Sequence, residues 1–336
     1  MHGRKQSNGE TDEPPRIGET CSVASSRRSV LALLLGLCSR TATAGPAASG
    51  GGVPAGANEI APVRLALSES LVAGANLDDA RAAMLTWIRK IGMDSNIRIE
   101  LTPMVFEPSA EIFRRARSRL FDAVALNVVE YRQIADELDS SEIICESEGL
   151  QRYMLLVKRG GAIQTLGDLR GRRLLMLGGP RMCVASAWLT TILDEGHFGP
   201  ADQFFSSVAE DAKAARVVLP VFFGQADACV ASKRSFDVLC ELNPQVAKEL
   251  TAIAVSPALL TGFYVFRKNY ASAVRERFAH LYSNVSGTVA GKQLATLFQF
   301  NSLSILDATC LEPVLAVLGQ ADRAHARTGT AGRGGQ

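Results

Sequence analysis

The hydrophobic residues in the middle of the chain repeat with two alternating periods. Residues 63–68 alternate as a strand does, with Val63, Leu65 and Leu67 on one side. After Asn76, a residue type that caps helices, apolar residues recur three and four positions apart up to Gly92. This spacing predicts an amphipathic helix that begins near Asn76 and ends at Gly92.

The same two patterns recur further along the chain. They predict strands over residues 97–101 and 122–126 and helices over residues 109–120 and 129–138. A strand followed by a helix, repeated several times, is typical of a parallel α/β sheet. These elements therefore predict a first α/β unit.

A second series begins with an extended segment at residues 153–157. The elements predicted after it are a turn over 166–171, strands over 173–177 and 226–231, helices over 184–192 and 209–223, and extended segments over 251–255 and 263–266. From residue 271 the pattern is helical, with Val274, Phe278, Leu281 and Tyr282 on one stripe.

Two α/β units joined by extended crossovers predict two lobes with a cleft between them. We place lobe 1 at residues 63–154 and 255–327 and lobe 2 at residues 155–254. Residues 328–336, which are rich in Gly, predict a disordered tail.

The first 62 residues indicate export of the protein and do not contribute to the predicted fold. Arg27 and Arg28 precede a short apolar run, and residues 42–44 read Ala-Thr-Ala, which offers a cleavage site. Residues 1–44 are therefore predicted to be a signal peptide of twin-arginine type, although the general secretory route also accepts such leaders. Residues 45–62 consist mainly of small residues and predict a flexible linker. We expect a soluble protein in the periplasm.

Composition narrows the classes of function. The chain has 336 residues, is 47% hydrophobic and has a formal net charge of +2, as in an ordinary globular protein. The arginines at 114, 115, 117 and 119 lie opposite the apolar positions of a predicted helix, so they predict a solvated face and no nucleic-acid surface. Five cysteines follow the leader, and none has C-x-x-C spacing. We expect small buried residues at these positions, and neither a metal nor a cofactor.

Five segments, taken in order, resemble one known family. They are residues 168–173 (Asp-Leu-Arg-Gly-Arg-Arg), 178–180 (Gly-Gly-Pro), 215–228, 255–258 and 263–267. Their order and spacing look like those of the phosphonate-type periplasmic binding proteins, over nearly the whole chain after the leader. Residues 121–124 with Glu130 and Tyr131 are similar to the segment with which that family brings an aromatic ring to its cleft.

The resemblance implies both a fold and a role. The fold would be α/β and two-lobed, of the type II periplasmic-binding-protein kind, with a hinge and an interlobe cleft. The role would be capture of a small-molecule ligand by a monomer and its delivery to the permease of an ABC transporter. Two alternatives stay open: a receptor of the same fold that reports to a membrane sensor protein, and an enzyme on that fold. The chain lacks a nucleophile elbow and paired metal ligands, which disfavours the enzyme.

Candidate ligand-binding residues follow from the general geometry of α/β sheets. Ligands lie beyond the carboxyl ends of the strands, where helix N-termini attract anions. The loops at residues 68–70, 127–131 and 178–186 meet this description, as do the residues after the strand that ends at Ala231. The candidates are Ser68, Ser70, Asn127, Tyr131, Arg181, Cys183, Lys233 and Arg234. No catalytic residue is predicted.

The loop at residues 178–186 departs from the family's pattern. Phosphonate binders place Ser and Thr hydroxyls at this helix start, whereas residues 181–186 read Arg-Met-Cys-Val-Ala-Ser. The family's cleft histidine is also missing from residues 204–209. We expect Arg181, whose guanidinium is a two-pronged donor, to replace the hydroxyls and to hold a small anion with a carboxylate or phosphate-like group.

Overall fold

The computed structural model describes residues 63–72, 76–95, 99–101, 106–270, 275, 287, 289–298 and 300–331. The predicted signal peptide and linker lie outside the described residues, as does the predicted stripe at Val274, Phe278, Leu281 and Tyr282. Within the described residues, the strands in chain order are β1 (Val63–Leu67), β2 (Ile99–Leu101), β3 (Ala123–Asn127), β4 (Leu138–Glu146), β5 (Leu150–Gln151), β6 (Tyr153–Lys158), β7 (Arg173–Leu177), β8 (Ser207–Asp211), β9 (Ala228–Ser232), β10 (Leu250–Val255), β11 (Leu259–Leu260), β12 (Gly262–Arg267) and β13 (Leu303–Leu306).

The helices join these strands and cover the sheets that they form. In chain order they are α1 (Leu77–Ser95), α2 (Ser109–Arg117), α3 (Val128–Ile134), α4 (Ala185–Glu195), α5 (Ala201–Phe204), α6 (Ala214–Phe222), α7 (Lys233–Leu242), α8 (Pro244–Glu249), α9 (Val289–Phe298) and α10 (Glu312–Ala331). Short 3-10 turns at Glu69–Val72 and Pro180–Met182 follow β1 and β7.

The chain folds into two α/β lobes, each built on one mixed sheet. The first sheet has the order β13-β4-β12-β3-β1-β2, in which β2, β1 and β3 run parallel and the others pair antiparallel. The second has the order β10-β6-β9-β7-β8, with β9, β7 and β8 parallel. The expectation of two lobes with an interlobe cleft is therefore confirmed.

Two crossovers connect the lobes, and they pair with each other. β5 and β11 form a two-stranded antiparallel ribbon, with Leu259 opposite Gln151 and Leu260 opposite Leu150. We call these two strands the hinge ribbon. Short extended segments of this kind are typical hinges, because a few residues at element ends absorb the rotation of one lobe against the other. The lobe boundaries that we placed after residues 154 and 254 stay a prediction. Near the first boundary β6 starts at Tyr153, and near the second β10 ends at Val255.

Several predicted elements are confirmed, and some details were wrong. Asn76 caps α1, since its Oδ1 accepts hydrogen bonds from the backbone amides of Asp78 (2.9 Å) and Asp79 (3.2 Å). Gly92 does not end that helix, which continues to Ser95. The helix predicted over residues 209–223 begins only at Ala214, because residues 207–211 form β8 at the edge of the second sheet. Most of β8 is exposed, so it has no alternation of apolar residues to mark it as a strand.

The C-terminal helix contacts both lobes. We assigned residues up to 327 to lobe 1, but α10 packs against α4, which belongs to the second lobe. Arg327 pairs with Asp194 in α4, and Arg132 in α3 pairs with Asp322 at 2.8 Å, so α10 contacts both lobes. The helix also runs to Ala331, four residues into the predicted tail.

Candidate functional site

Ser68 and Asn127 lie side by side at one edge of the first sheet. Ser68 follows β1 and Asn127 ends β3. These strands are parallel neighbours with Leu67 opposite Ala125, so their carboxyl ends lie at the same place. Ser70 lies in the 3-10 turn after β1, and Asn127 Nδ2 donates a hydrogen bond to its hydroxyl at 3.0 Å. Three of the candidate residues predicted from the sequence therefore lie together in the structure.

These three residues surround a carboxylate of the chain itself. Glu130, the third residue of α3, accepts hydrogen bonds from Ser68 Oγ (2.7 Å), Ser70 Oγ (2.8 Å), the Asn127 backbone amide (3.0 Å) and the hydroxyl of Ser109. Asn127 Oδ1 in turn accepts from the Glu130 amide, which completes a capping box. Glu130 is buried, and both of its oxygens have donors. We call Ser68, Ser70, Ser109, Asn127 and Glu130 the serine cluster.

Tyr131 follows Glu130 and is buried in the core. Its ring packs edge to face against Phe263 of β12, with the ring centroids 5.2 Å apart. In this structure Tyr131 is therefore a ring packed in the core and not a ring exposed to solvent in the cleft.

Arg181 comes from the second lobe and reaches the first. Gly179 has a φ of 116°, which a residue with a side chain rarely adopts, and this conformation turns the chain into the 3-10 turn Pro180–Met182. The turn is held by the buried Tyr153, whose hydroxyl donates to the Arg181 carbonyl at 2.9 Å. Arg181 Nη2 then donates to Glu146 Oε1 at 2.8 Å, across the cleft. The guanidinium that we expected to hold an anionic ligand is therefore bound to a carboxylate at the end of β4.

Cys183 lies next to the same contact between the lobes. Its thiol donates to the carbonyl of Thr261 at 3.7 Å, and burial raises its pKa to about 12. A thiol with so high a pKa stays protonated at neutral pH and is a poor nucleophile. No disulfide bond joins any two of the five described cysteines that follow the leader, and Cys145, Cys229 and Cys310 are buried.

Lys233 and Arg234 lie at the start of α7. Lys233 Nζ pairs with Asp237 one turn along the helix at 2.7 Å, and Arg234 Nη1 lies 3.8 Å from Glu148 in the crossover. Both side chains are more than one-third exposed. They line a surface groove with Glu148, and Arg234 also lines a second groove with Arg181.

A cavity of about 130 Å³ lies between the lobes beside the hinge ribbon. Leu71, Glu146 and Tyr264 line it from the first lobe, and Pro180 and Arg181 line it from the second. Its remaining lining residues are Cys145, Gly149, Gln151, Thr261, Gly262, Phe263, Phe300 and Leu303. Most of these side chains are apolar, and a concave apolar site with a few polar groups is the usual form of a small-molecule site.

Glu146 is the acidic group of this cavity. Arg181 binds its Oε1, whereas its Oε2 is buried and accepts no hydrogen bond from any residue that the structure describes. Burial raises the pKa of Glu146 above the usual value, and the neighbouring Arg181 guanidinium only partly offsets that increase. This half-buried carboxylate therefore has one buried oxygen that lacks the hydrogen bonding it would have in water.

The sequence analysis missed Glu146, Gln151, Thr261 and Phe300. Glu146 ends β4, and no strand was predicted over residues 138–146 because residues 139–142 are polar or charged. Gln151 belongs to the hinge ribbon and Thr261 directly follows it, and the ribbon forms only by pairing of segments over a hundred residues apart. One signal was present: Glu146 and Gln151 stand at the two ends of an extended crossover, where a cleft begins.

Two further properties concern the described part of the chain as a whole. In that part, no group of His, Cys, Asp and Glu side chains is arranged to hold a metal ion. Nor does any helix among the described residues combine the length and the apolar character needed to cross a membrane.

Solved structures share this fold. XAC2383 from Xanthomonas citri bound to chloride ion is 14% identical, with a TM-score of 0.55 over 79% of this chain and 99% of that one. A binding protein component of the ABC phosphonate transporter (PA3383) from Pseudomonas aeruginosa is 13% identical, with a TM-score of 0.51 over 79% and 88%. PhnD1 from Prochlorococcus marinus, in complex with methylphosphonate, is 10% identical, with a TM-score of 0.52 over 77% and 98%. Among curated proteins, no sequence matches.

A family of sequences also matches, over more than half of the chain. Residues 93–309 fit the family described as ABC transporter, phosphonate, periplasmic substrate-binding protein. The matched range contains the hinge ribbon, the cavity residues Glu146 and Arg181, and all five segments that carried the resemblance. Sequence and fold thus agree on a solute-binding role. The chain belongs to the family of periplasmic substrate-binding proteins of phosphonate ABC transporters.

Proposed function

We propose that this protein captures its solute in the cavity beside the hinge ribbon and delivers it to the permease of an ABC transporter. The observation that carries the proposal is the position of the cavity. Glu146 and Leu71 of one lobe and Arg181 and Pro180 of the other line it together. A ligand that contacts both lobes favours the closed form over the open form by its difference in affinity for the two.

The size of the cavity limits the solute. A cavity of about 150 Å³ holds a benzene molecule, so about 130 Å³ suits a solute of about five or six heavy atoms. PhnD1, which shares the fold, is known with methylphosphonate, another small molecule. We propose that the present chain binds its solute without turning it over, as a monomer, in the periplasm, and that residues 1–44 are the signal peptide that brings it there.

A cavity-filling variant tests the proposal. Leu71 lies at the rim of the cavity and is only partly buried, so Leu71→Trp should occupy the space of the solute at little cost to the fold. Small molecules released on denaturation of the purified protein would be identified by mass spectrometry. We expect a compound of about five or six heavy atoms from the unsubstituted protein and none from the variant.

Leu242→Trp is the matched control, because Leu242 is exposed at the end of α7 and lines none of the cavities described above. It should release the same compound as the unsubstituted protein. Release of that compound from Leu71→Trp as well would show that the solute binds elsewhere.

A further inference from the structure

We propose that the solute is a small anion that binds together with one proton: the anion takes the place of Glu146 at Arg181, and Glu146 takes up the proton from solvent. This inference rests on the proposed function, because it concerns the charge of the solute in the same cavity. It keeps our expectation that Arg181 holds an anion. To Glu146, which the sequence analysis missed, it assigns the setting of affinity.

The balance of charge in the cavity carries the first step. Arg181 and Glu146 line it from opposite lobes and pair at 2.8 Å. Among the described residues that line the cavity, these two alone are of types that are charged at neutral pH, since the Cys145 thiol and the Tyr264 phenol are ordinarily neutral there. Their charges cancel. An anion that enters the cavity therefore leaves one negative charge in excess.

The apolar part of the lining makes that excess charge costly. Phe263, Phe300 and Leu303 are buried and line the cavity. Between such side chains two negative charges repel each other strongly, because little solvent screens them. Protonation of one of the two anions removes the repulsion, and the anion with the higher pKa takes the proton.

Glu146 is placed to take this proton. Burial raises its pKa although Arg181 and Arg234 lower it, and Glu148 raises it further. An anion at Arg181 weakens the effect of the guanidinium and adds a like charge, so both changes raise the pKa again. Once protonated, Oε1, the oxygen that binds Arg181, can donate a hydrogen bond to the anion. A hydrogen bond from a hydroxyl to an oxyanion is a strong one.

The proposal gives binding a definite dependence on pH. Because the anion raises the pKa of Glu146, its affinity is highest below the pKa of Glu146 in the free protein. The affinity falls as the pH rises toward the pKa of Glu146 in the complex. Between the two values it falls by about tenfold for each pH unit, and each anion brings one proton with it. A purely structural Glu146 would cause neither effect.

Isothermal titration calorimetry with two compounds of nearly equal shape tests the proposal. Methanesulfonate has the size of the cavity and stays ionised at every pH used, so a proton taken up on binding belongs to the protein. Dimethyl sulfone has a similar shape and no charge. The full protein, freed of bound molecules by unfolding, dialysis and refolding, is titrated with each in buffers of different ionisation enthalpy. We expect methanesulfonate to bind with proton uptake, and at least about tenfold more weakly at about pH 8 than at about pH 5. Dimethyl sulfone should show neither effect.

Three variants assign these effects to the two side chains. Glu146→Gln has no carboxyl to protonate and no like charge, so at about pH 8 it should bind methanesulfonate at least about tenfold more tightly than the unsubstituted protein, without proton uptake. Arg181→Gln should lose the binding. Glu249→Gln is the control, because Glu249 pairs with Lys158 on the surface of the second lobe, and it should behave like the unsubstituted protein. The melting temperature of each variant shows that it is folded.

Binding of methanesulfonate with equal affinity at both pH values and without proton uptake overturns the proposal. So does proton uptake that persists in folded Glu146→Gln or occurs with dimethyl sulfone, and so does binding that persists in folded Arg181→Gln. A lack of binding both to the unsubstituted protein at about pH 5 and to folded Glu146→Gln overturns it as well. The proposed function has its own test, because release of a bound compound from the unsubstituted protein but not from Leu71→Trp would support it even then.

Discussion

Glu130 and Glu146 are two carboxylates of the same lobe in opposite circumstances. Glu130, in the serine cluster, receives three hydroxyls and one backbone amide, so every donor nearby is used by the chain itself. Glu146, in the interlobe cavity, has one oxygen bound to Arg181 and one oxygen with no donor among the described residues. The hydrogen bonds of Glu130 are all made within one lobe. Those of Glu146 depend on Arg181 of the other lobe and on whatever fills the cavity.

The difference separates structural polar groups from functional ones. A buried group whose hydrogen bonds are all made contributes to stability, and its loss leaves several partners unpaired. A buried group that lacks a partner costs stability, and such groups persist where a ligand completes them. Chemical type alone would have favoured the serine cluster as the binding site, because hydroxyls near a helix start suit an anion.

The largest effect should come from removing the satisfied carboxylate. Glu130→Ala leaves the hydroxyls of Ser68, Ser70 and Ser109 without their acceptor in a buried site. We expect the free energy of unfolding to fall by about 2 to 4 kcal/mol. Chemical denaturation measures this fall, and Glu249→Ala on the surface should cost less than about 1 kcal/mol. Equal losses for the two variants would contradict the structural role of Glu130.

A matched pair of isosteric changes sharpens the comparison. Glu130→Gln replaces one of two oxygens that accept from the serine cluster by an NH₂ group, and it should lower stability by about 1 to 2 kcal/mol. Glu146→Gln keeps an acceptor for Arg181 and removes a poorly satisfied charge, so it should change stability by less than about 1 kcal/mol. Chemical denaturation of both variants at neutral pH, without added ligand, measures which variant loses more stability. A larger loss for Glu146→Gln would reverse our assignment of the two groups.

The smallest effect concerns pH. Burial raises the pKa of Glu146 in the folded protein, so the protonated carboxyl is the form that the fold favours. Its contribution to stability is fully present below the pKa of the unfolded chain and is lost as the pH rises through the folded value. Glu146→Gln should therefore gain stability relative to the unsubstituted protein as the pH rises above about 4.3, the ordinary pKa of a glutamate. Melting curves over that range would show it, and a difference that does not change with pH would exclude a raised pKa.

Sequence periodicity predicted most elements whose apolar residues face a core. β1, α1, β7 and β9 lie close to their predicted positions, because each buries a regular stripe or run of apolar side chains. The strands β4, β8 and β13 were missed. Polar residues over 139–142 interrupt β4, and β8 lies exposed at a sheet edge, so neither has the pattern of a half-buried strand.

The sequence by itself determined the family, the two α/β lobes and the residues that follow the carboxyl ends of the strands. These depend on local periodicity and on the order of short segments, which are properties of neighbouring residues. Only the tertiary structure decided that Glu130 fills the serine cluster, that Arg181 pairs with Glu146 and that a cavity lies beside the hinge ribbon. The side-chain contacts of Glu130 with the three serines and of Arg181 with Glu146 join residues 21 to 62 positions apart, and no pattern of neighbours along the chain encodes which distant carboxylate will meet which donor.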